Sequence, residues 1–178
     1  IRSIRCDGNG NVYLLQTNTV HVLSPQGEPL GDFETEESIS GFARAGDGAV
    51  FIKVDTQLLE LDLASGSFGR RLDTGEYRAH DGDATYLFYY SDAEGLYGFN
   101  PDAQAPTPIL LWGLCRISLG TLQRLTPMTD SRFLTLSSAG LGVLTPVPPE
   151  EIDQRTEITV ATLSWFSMDL DAVIAQFN

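Results

Sequence analysis

Basic residues are scarce in this 178-residue chain: 11 Lys plus Arg stand against 24 Asp plus Glu, a formal net charge of −13. That deficit argues against a nucleic-acid binder, because neutralising phosphates requires Lys and Arg in excess. It also argues against attachment to anionic lipid through the protein's own surface. Long apolar runs are missing as well. The longest, Ile109 to Cys115, contains Gly113 and falls far short of the roughly 20 residues that cross a bilayer. Cysteine is limited to Cys6 and Cys115, with no C-x-x-C spacing. Two such residues make neither a disulfide framework nor a zinc or redox motif, and both are expected to be buried free thiols. So low a count leaves the compartment open. No charged-then-apolar leader precedes Ile1, as expected of a processed or trimmed N-terminus.

What is present describes a globular chain of about one domain: 42% hydrophobic and 20% charged residues, with 17 Gly and 9 Pro to make turns. The main signal is an internal repeat. A short polar turn followed by a β-rich run occurs four times: Asp7-Gly8-Asn9-Gly10-Asn11 before Val12–Leu15, Ala45-Gly46-Asp47-Gly48 before Ala49–Ile52, Asp81-Gly82-Asp83 before Ala84–Tyr90, and Met128-Thr129-Asp130-Ser131 before Arg132–Leu136. Taking Gly10, Gly48, Ala84 and Ser131 as equivalent, the spacings are 38, 36 and 47 residues. Gly and Asn accept the positive φ that a tight hairpin requires, and the runs that follow are aromatic and β-branched, as suits a packed strand.

A second run follows each turn: Thr19–Leu23, Leu58–Leu63, Gly95–Phe99 and Leu141–Leu144. A third, shorter run follows in the first three copies, at Pro29–Phe33, Phe68–Leu72 and Pro108–Trp112. A fourth precedes the next turn at Ser38–Ala43 and Thr121–Thr126. The unit is therefore a small antiparallel sheet of about four strands in roughly 40 residues. One such sheet cannot bury both of its faces alone, and stacking copies around an axis solves this. The expected fold is all-β, a β-propeller-like array of about four antiparallel blades over residues 1–149, divided near 1–37, 38–78, 79–120 and 121–149. An arc of a larger propeller is slightly favoured over a small closed ring. A β-sandwich is the main rival, but it usually lacks such internal similarity.

Residues 150–178 break the pattern. Glu157 to Leu163 reads as a buried strand, Ser164–Ser167 as a loop, and Met168 to Asn178 as a helix with Leu170, Val173, Ile174 and Phe177 on one face. Strand, loop and amphipathic helix look like the opening of a second domain. ITVATLS…DLDAVIAQFN is similar to the first strand and helix of extracellular solute-binding proteins of bacterial uptake transporters. D-G-N-G-N-V-Y and LYGFNPDAQAPTPILLW resemble the N-terminal repeat region of a subgroup of these lipoproteins from Gram-positive gut bacteria, in which a propeller-like domain precedes the solute-binding domain. The resemblance is best over Leu96–Trp112 and Ile158–Asn178. It departs from the full-length pattern in the missing leader and lipidation cysteine, since neither Cys6 nor Cys115 sits in a lipobox.

The resemblance implies a non-catalytic binding or accessory domain at the cell surface, serving an ABC-type uptake system. Its partners would be the rest of its own polypeptide, a sugar or peptide solute and a membrane permease. The lipid anchor would lie outside this chain. Ser164 and Trp165 would face solute once the second domain is complete; ordinary packing is their plain alternative. The residues themselves offer no catalytic, cofactor or metal site. Asp7, Asn9 and Asn11 begin like a calcium loop, but Val12 and Asn18 stand where that loop requires Gly and Glu. His21 and His80 lie far apart in the sequence. Ser65-Gly66-Ser67-Phe68-Gly69 lacks the first Gly of a nucleophile elbow, and Gly140-Leu141-Gly142 opens no helix. Glu34-Glu36-Glu37 and Glu150-Glu151-Asp153 read as solvated turns, while Tyr86, Phe88, Tyr89, Tyr90 and Trp112 read as packing between blades. The alternatives are a carbohydrate-active enzyme on a propeller scaffold and a protein-interaction propeller. An enzyme should gather two carboxylates and a His or Arg at one axial mouth, whereas an accessory domain should show no polar convergence.

Overall fold

The computed structural model describes residues 1–103, 105–112, 122–137 and 140–146. The chain divides after Pro146 into the units Ile1–Pro146 and Val147–Asn178, and the described residues all belong to the first. Cys115, the strand and helix expected at 157–163 and 168–178, and Ser164 and Trp165 lie outside the described residues.

Four antiparallel sheets form a propeller arrangement. Blade 1 contains β1 (Ser3–Cys6), β2 (Val12–Leu15), β3 (Thr19–Leu23) and β4 (Pro29–Glu34). Blade 2 contains β5 (Ile39–Arg44), β6 (Val50–Val54), β7 (Gln57–Asp62) and β8 (Ser67–Asp73). Blade 3 contains β9 (Arg78–His80), β10 (Phe88–Ser91), β11 (Gly95–Phe99) and β12 (Thr107–Leu111). Blade 4, over the described residues, contains β13 (Leu122–Pro127), β14 (Phe133–Ser137) and β15 (Gly140–Leu144). Every sheet is a meander in which chain neighbours are hydrogen-bonded neighbours. Strands β1 and β9 carry no β-branched, aromatic run and lie outside the runs read from sequence.

Burial explains this order. In β6 and β10 consecutive residues are buried (Val50, Phe51 and Ile52; Phe88 through Ser91), so both faces of these strands are covered. The fourth strands, β8 and β12, are largely exposed and form the rim. Between successive blades lies a continuous apolar layer. Tyr13, Leu15, Val20 and Val22 of blade 1 pack on Phe42, Val50, Ile52 and Leu59 of blade 2. Phe51 and Leu58 of blade 2 pack on Phe88 and Tyr90 of blade 3. Tyr89, Leu96 and Trp112 of blade 3 pack on Leu122, Leu125 and Phe133 of blade 4.

An edge-to-face aromatic pair sits in each layer: Tyr13 with Phe42 (centroids 6.4 Å apart), Phe51 with Phe88 (5.0 Å) and Tyr89 with Phe133 (4.9 Å). This arrangement sets the positive ring edge against the negative ring face and stabilises by about 0.5–1.5 kcal/mol beyond area burial. Trp112 is buried and donates its indole N–H to the Asp92 carbonyl at 2.9 Å.

The polar turns recur in detail. In blades 1, 2 and 4 one backbone N–H donates to the carbonyl four residues further on: Asp7 to Asn11, Ala45 to Ala49, and Met128 to Arg132. Gly10, Gly48 and Ser131 occupy the same left-handed position, with φ of 81°, 92° and 62°. Ala84 does not. Blade 3 closes one residue shorter, from Asp83 N–H to the Tyr86 carbonyl, so no left-handed residue is needed there. The Asp carboxylates knit these turns. Asp7 accepts from the backbone of Asn9 and Asn11 and from the Tyr13 hydroxyl; Asp83 accepts from the backbone of Thr85 and Tyr86 and from the Tyr89 hydroxyl. In both, the Tyr lies six residues after the Asp and reaches into the next inter-blade layer.

Blades 2 and 3 are also joined by backbone. Gly46 N–H donates to the Leu87 carbonyl at 2.9 Å, and Gly82 N–H to the Arg44 carbonyl at 2.7 Å. A Cβ added at Gly46 would lie 1.9 Å from the Asp83 carbonyl oxygen, which only glycine avoids. Among the described residues, blade 4 carries exposed apolar side chains on the face away from blade 3. Leu134 faces Val143 and Leu136 faces Leu141 across β14 and β15, and all four are exposed, Leu141 by 76%.

Phe51→Ala is expected to cost about 3–5 kcal/mol in urea unfolding, because the side chain is fully buried against Phe88. Gly46→Ala should cost at least about 1–3 kcal/mol through its backbone collision. Leu141→Ala should stay within about 0.5 kcal/mol of the parent.

Candidate functional site on the propeller axis

The innermost strands β1, β5, β9 and β13 line a half-open cavity of about 460 Å³ on the axis. All four blades contribute: Arg2 and Arg5 from blade 1, Phe42 and Lys53 from blade 2, Arg78, His80 and Asp81 from blade 3, and Arg124 and Leu125 from blade 4. A second cavity of about 320 Å³ shares Arg5, Phe42, Asp81 and Arg124 with the first, so these four residues separate or join the two chambers.

Strand alternation positions Arg5. It lies opposite Tyr13 in the register and shares that residue's face, so its side chain projects to the blade 2 side of β1. Its Nε and Nη1 atoms are buried with no hydrogen-bond partner. Burial draws the Arg5 pKa below the usual arginine value, and the nearby Asp81 charge opposes that shift.

Asp81, just beyond β9, ties three blades. Its Oδ1 accepts the Arg44 backbone N–H at 3.0 Å, and its Oδ2 is 3.5 Å from Arg124 Nη2. Lys53 Nζ donates to the carbonyls of Tyr77 and, at 3.1 Å, Gly75. Arg78 donates to the Leu122 carbonyl at 3.0 Å. His80 is buried with Nε2 2.7 Å from Ser91 Oγ. Burial, with the Arg78 charge second, lowers its pKa to about 4, so the ring is neutral near pH 7.

The residues singled out from sequence are placed as follows. Asp7, Asn9 and Asn11 are bound up in their own turn. His21 Nδ1 meets Asp32 Oδ1 at 2.7 Å on an exposed face, far in the fold's order from the buried His80. Ser65, Gly66 and Ser67 form the β7–β8 hairpin, held by the Asp62 carboxylate. Glu34, Glu36 and Glu37 are exposed, and Phe88, Tyr89 and Tyr90 are buried between blades. Cys6 corrects the expectation of a buried thiol. It is exposed, because β1 has no further described sheet covering the face on which Ile4 and Cys6 project. Glu150, Glu151 and Asp153 lie outside the described residues.

The axial cavity brings together two carboxylates (Glu76 and Asp81), His80 and several arginines. It therefore shows the polar convergence set out above for an enzyme and not expected of an accessory domain. Sequence reasoning missed it because Glu76, Arg78, His80 and Asp81, though within one short segment, meet Arg5, Lys53 and Arg124 only across whole repeats. A faint signal existed: Arg5, Arg44, Arg78 and Arg124 interrupt a chain in which basic residues are few.

No family model matches the chain, and no curated protein matches it. Solved structures match at the level of fold. A gluconolactonase of Xanthomonas campestris is 16% identical, with 82% of this chain and 56% of that one covered and a TM-score of 0.54. A catalytically inactive virginiamycin B lyase of Staphylococcus aureus with quinupristin is 11% identical, covering 80% and 51%, at 0.55. The Pan2 WD40 domain of Neurospora crassa is 12% identical, covering 76% and 41%, at 0.52. These likenesses define the class, a β-propeller, and at such identity they show the fold alone. The chain spans about half the length of the structures it matches.

The native state refuses a proton at His80 that the unfolded chain binds between about pH 6.5 and about pH 4. Stability from this group is fully present above that window and lost as pH falls through it. Relative to His80→Asn, the parent should lose a further roughly 2–4 kcal/mol between pH 7 and pH 4 in urea unfolding.

Proposed function

We propose that this propeller is a non-catalytic binding module that receives a small solute in its axial cavity. We place it as the accessory region of an extracellular, cell-surface solute-binding lipoprotein of an ABC-type uptake system. Its partners are then the rest of its own polypeptide, a sugar or peptide solute and a membrane permease. One observation carries the binding half: four blades converge on a cavity whose polar groups are largely committed to the scaffold. Asp81 serves Arg44 and Arg124, and His80 serves Ser91 as a buried neutral ring. A general base must reach the proton that it removes, and these contacts hold both groups against the scaffold. The lipoprotein half is supported by the resemblance of Leu96–Trp112 and Ile158–Asn178.

An enzyme on this scaffold is the second reading. Glu76, Asp81 and His80 at one cavity favour it, and a gluconolactonase and a lyase share the fold. Equilibrium binding and turnover measured on one panel of sugars, sugar lactones and short peptides separate the two. Saturable binding without product formation is expected; turnover that depends on Asp81 or Glu76 would establish the enzyme instead. For the lipoprotein half, the gene beyond the Asn178 codon should encode an α/β solute-binding domain, with permease genes adjacent. A stop codon there would remove that half and leave the binding module standing.

A further inference from the structure

The axial cavity has the opposite charge sign to the protein around it. Five of the chain's 11 Lys and Arg residues line the larger chamber (Arg2, Arg5, Lys53, Arg78 and Arg124), against two of its 24 acids, Glu76 and Asp81. A strongly acidic chain that collects its few cations at one point has built a local positive field there, and low-dielectric walls concentrate such a field.

The cations are not equally committed. Lys53 is bound to two carbonyls, Arg78 to the Leu122 carbonyl, and Arg124 to Asp81. Arg5 is different: two of its nitrogens are buried without an acceptor, although Asp81 lies close enough for its charge to be felt. The Asp81 oxygens face the Arg44 N–H and Arg124, and neither reaches Arg5 Nε or Nη1 within hydrogen-bond distance. Guanidinium nitrogens buried without acceptors are costly, and a bound oxyanion supplies both acceptor and countercharge. The cavity, about 460 Å³, falls in the range of small-molecule sites, about 300–1,000 Å³.

Resting on the axial cavity as the binding site, we propose that it takes a small solute through an oxyanion, carboxylate or phosphate, seated on Arg5 with Arg124 beside it. Selectivity then comes from charge: a neutral solute of equal shape can offer Arg5 a hydroxyl acceptor but no countercharge, and so makes the weaker bond.

The test is calorimetric titration of the full chain with four probes: glucose, glucuronate, glucose 6-phosphate and inorganic phosphate. Three of them share a ring and differ in the anion. At least one charged probe should bind at least about tenfold more tightly than glucose, and its affinity should fall between about 0.05 M and about 0.3 M NaCl. Arg5→Gln should weaken that probe by at least about tenfold, and Arg124→Gln, the second variant should the first fail to fold, by about threefold or more. Arg71→Gln, an exposed β8 position away from the cavity, should leave it unchanged. Preference of carboxylate over phosphate, or the reverse, identifies the oxyanion. Glucose binding as tightly as the charged probes overturns the anion seat and leaves the binding module intact. No binding by any of the four overturns the seat, and the panel described above then judges the module separately. Turnover of a bound charged probe overturns the non-catalytic assignment and leaves the seat in place.

Discussion

The structure depends on the apolar layer between one small sheet and the next. A four-stranded meander of about 30 residues has two faces and too little chain to cover either, so a blade is stable only against its neighbours. The edge-to-face pairs Tyr13–Phe42, Phe51–Phe88 and Tyr89–Phe133 give each layer a preferred geometry as well as buried area. Strand β10 shows how fully this is used. Phe88 and Tyr90 face blade 2 while Tyr89 faces blade 4, so one aromatic run holds two layers at once.

Acidic side chains have two separate duties. Asp7 and Asp83 stay within their own turns and reach the inter-blade tyrosines Tyr13 and Tyr89. Asp81, two residues before Asp83, turns toward the axis and links the backbone of blade 2 to a guanidinium of blade 4. The same local sequence, Asp-Gly-Asp, thus contributes one carboxylate to a hairpin and one to the centre of the molecule. Gly82 between them makes this possible by bringing its N–H to the Arg44 carbonyl, where a Cβ would meet the Leu87 carbonyl at 2.0 Å.

Much of the fold was legible in the sequence because its signals are local. Turn glycines at Gly10 and Gly48, and runs such as Val12–Leu15 and Phe88–Tyr90, declare hairpins and packed strands without reference to anything distant. The innermost strands β1 and β9 were not legible. Arg78-Ala79-His80 has no β-branched or aromatic run, and only its place between blades makes it a strand. The site fell in the same gap. Arg5, Asp81 and Arg124 are separated by whole repeats, and no spacing rule marks residues that meet only when blades converge on an axis. Cys6 was misjudged for a related reason: burial depends on which sheet covers a face, and no described sheet covers the face of β1 that carries it.

The open apolar face of blade 4 affects how the molecule comes apart. In a stack whose members touch only their nearest neighbours, an internal member must break two layers to open and a terminal one only a single layer. Blade 4, on which Leu134, Leu136, Leu141 and Val143 are exposed, is bound to the other described residues through the Tyr89–Phe133 layer, the Arg78–Leu122 hydrogen bond and the Asp81–Arg124 ion pair. Among the described residues, opening blade 1 or blade 4 therefore breaks one apolar layer, whereas opening blade 2 or blade 3 breaks the layers on both of its sides.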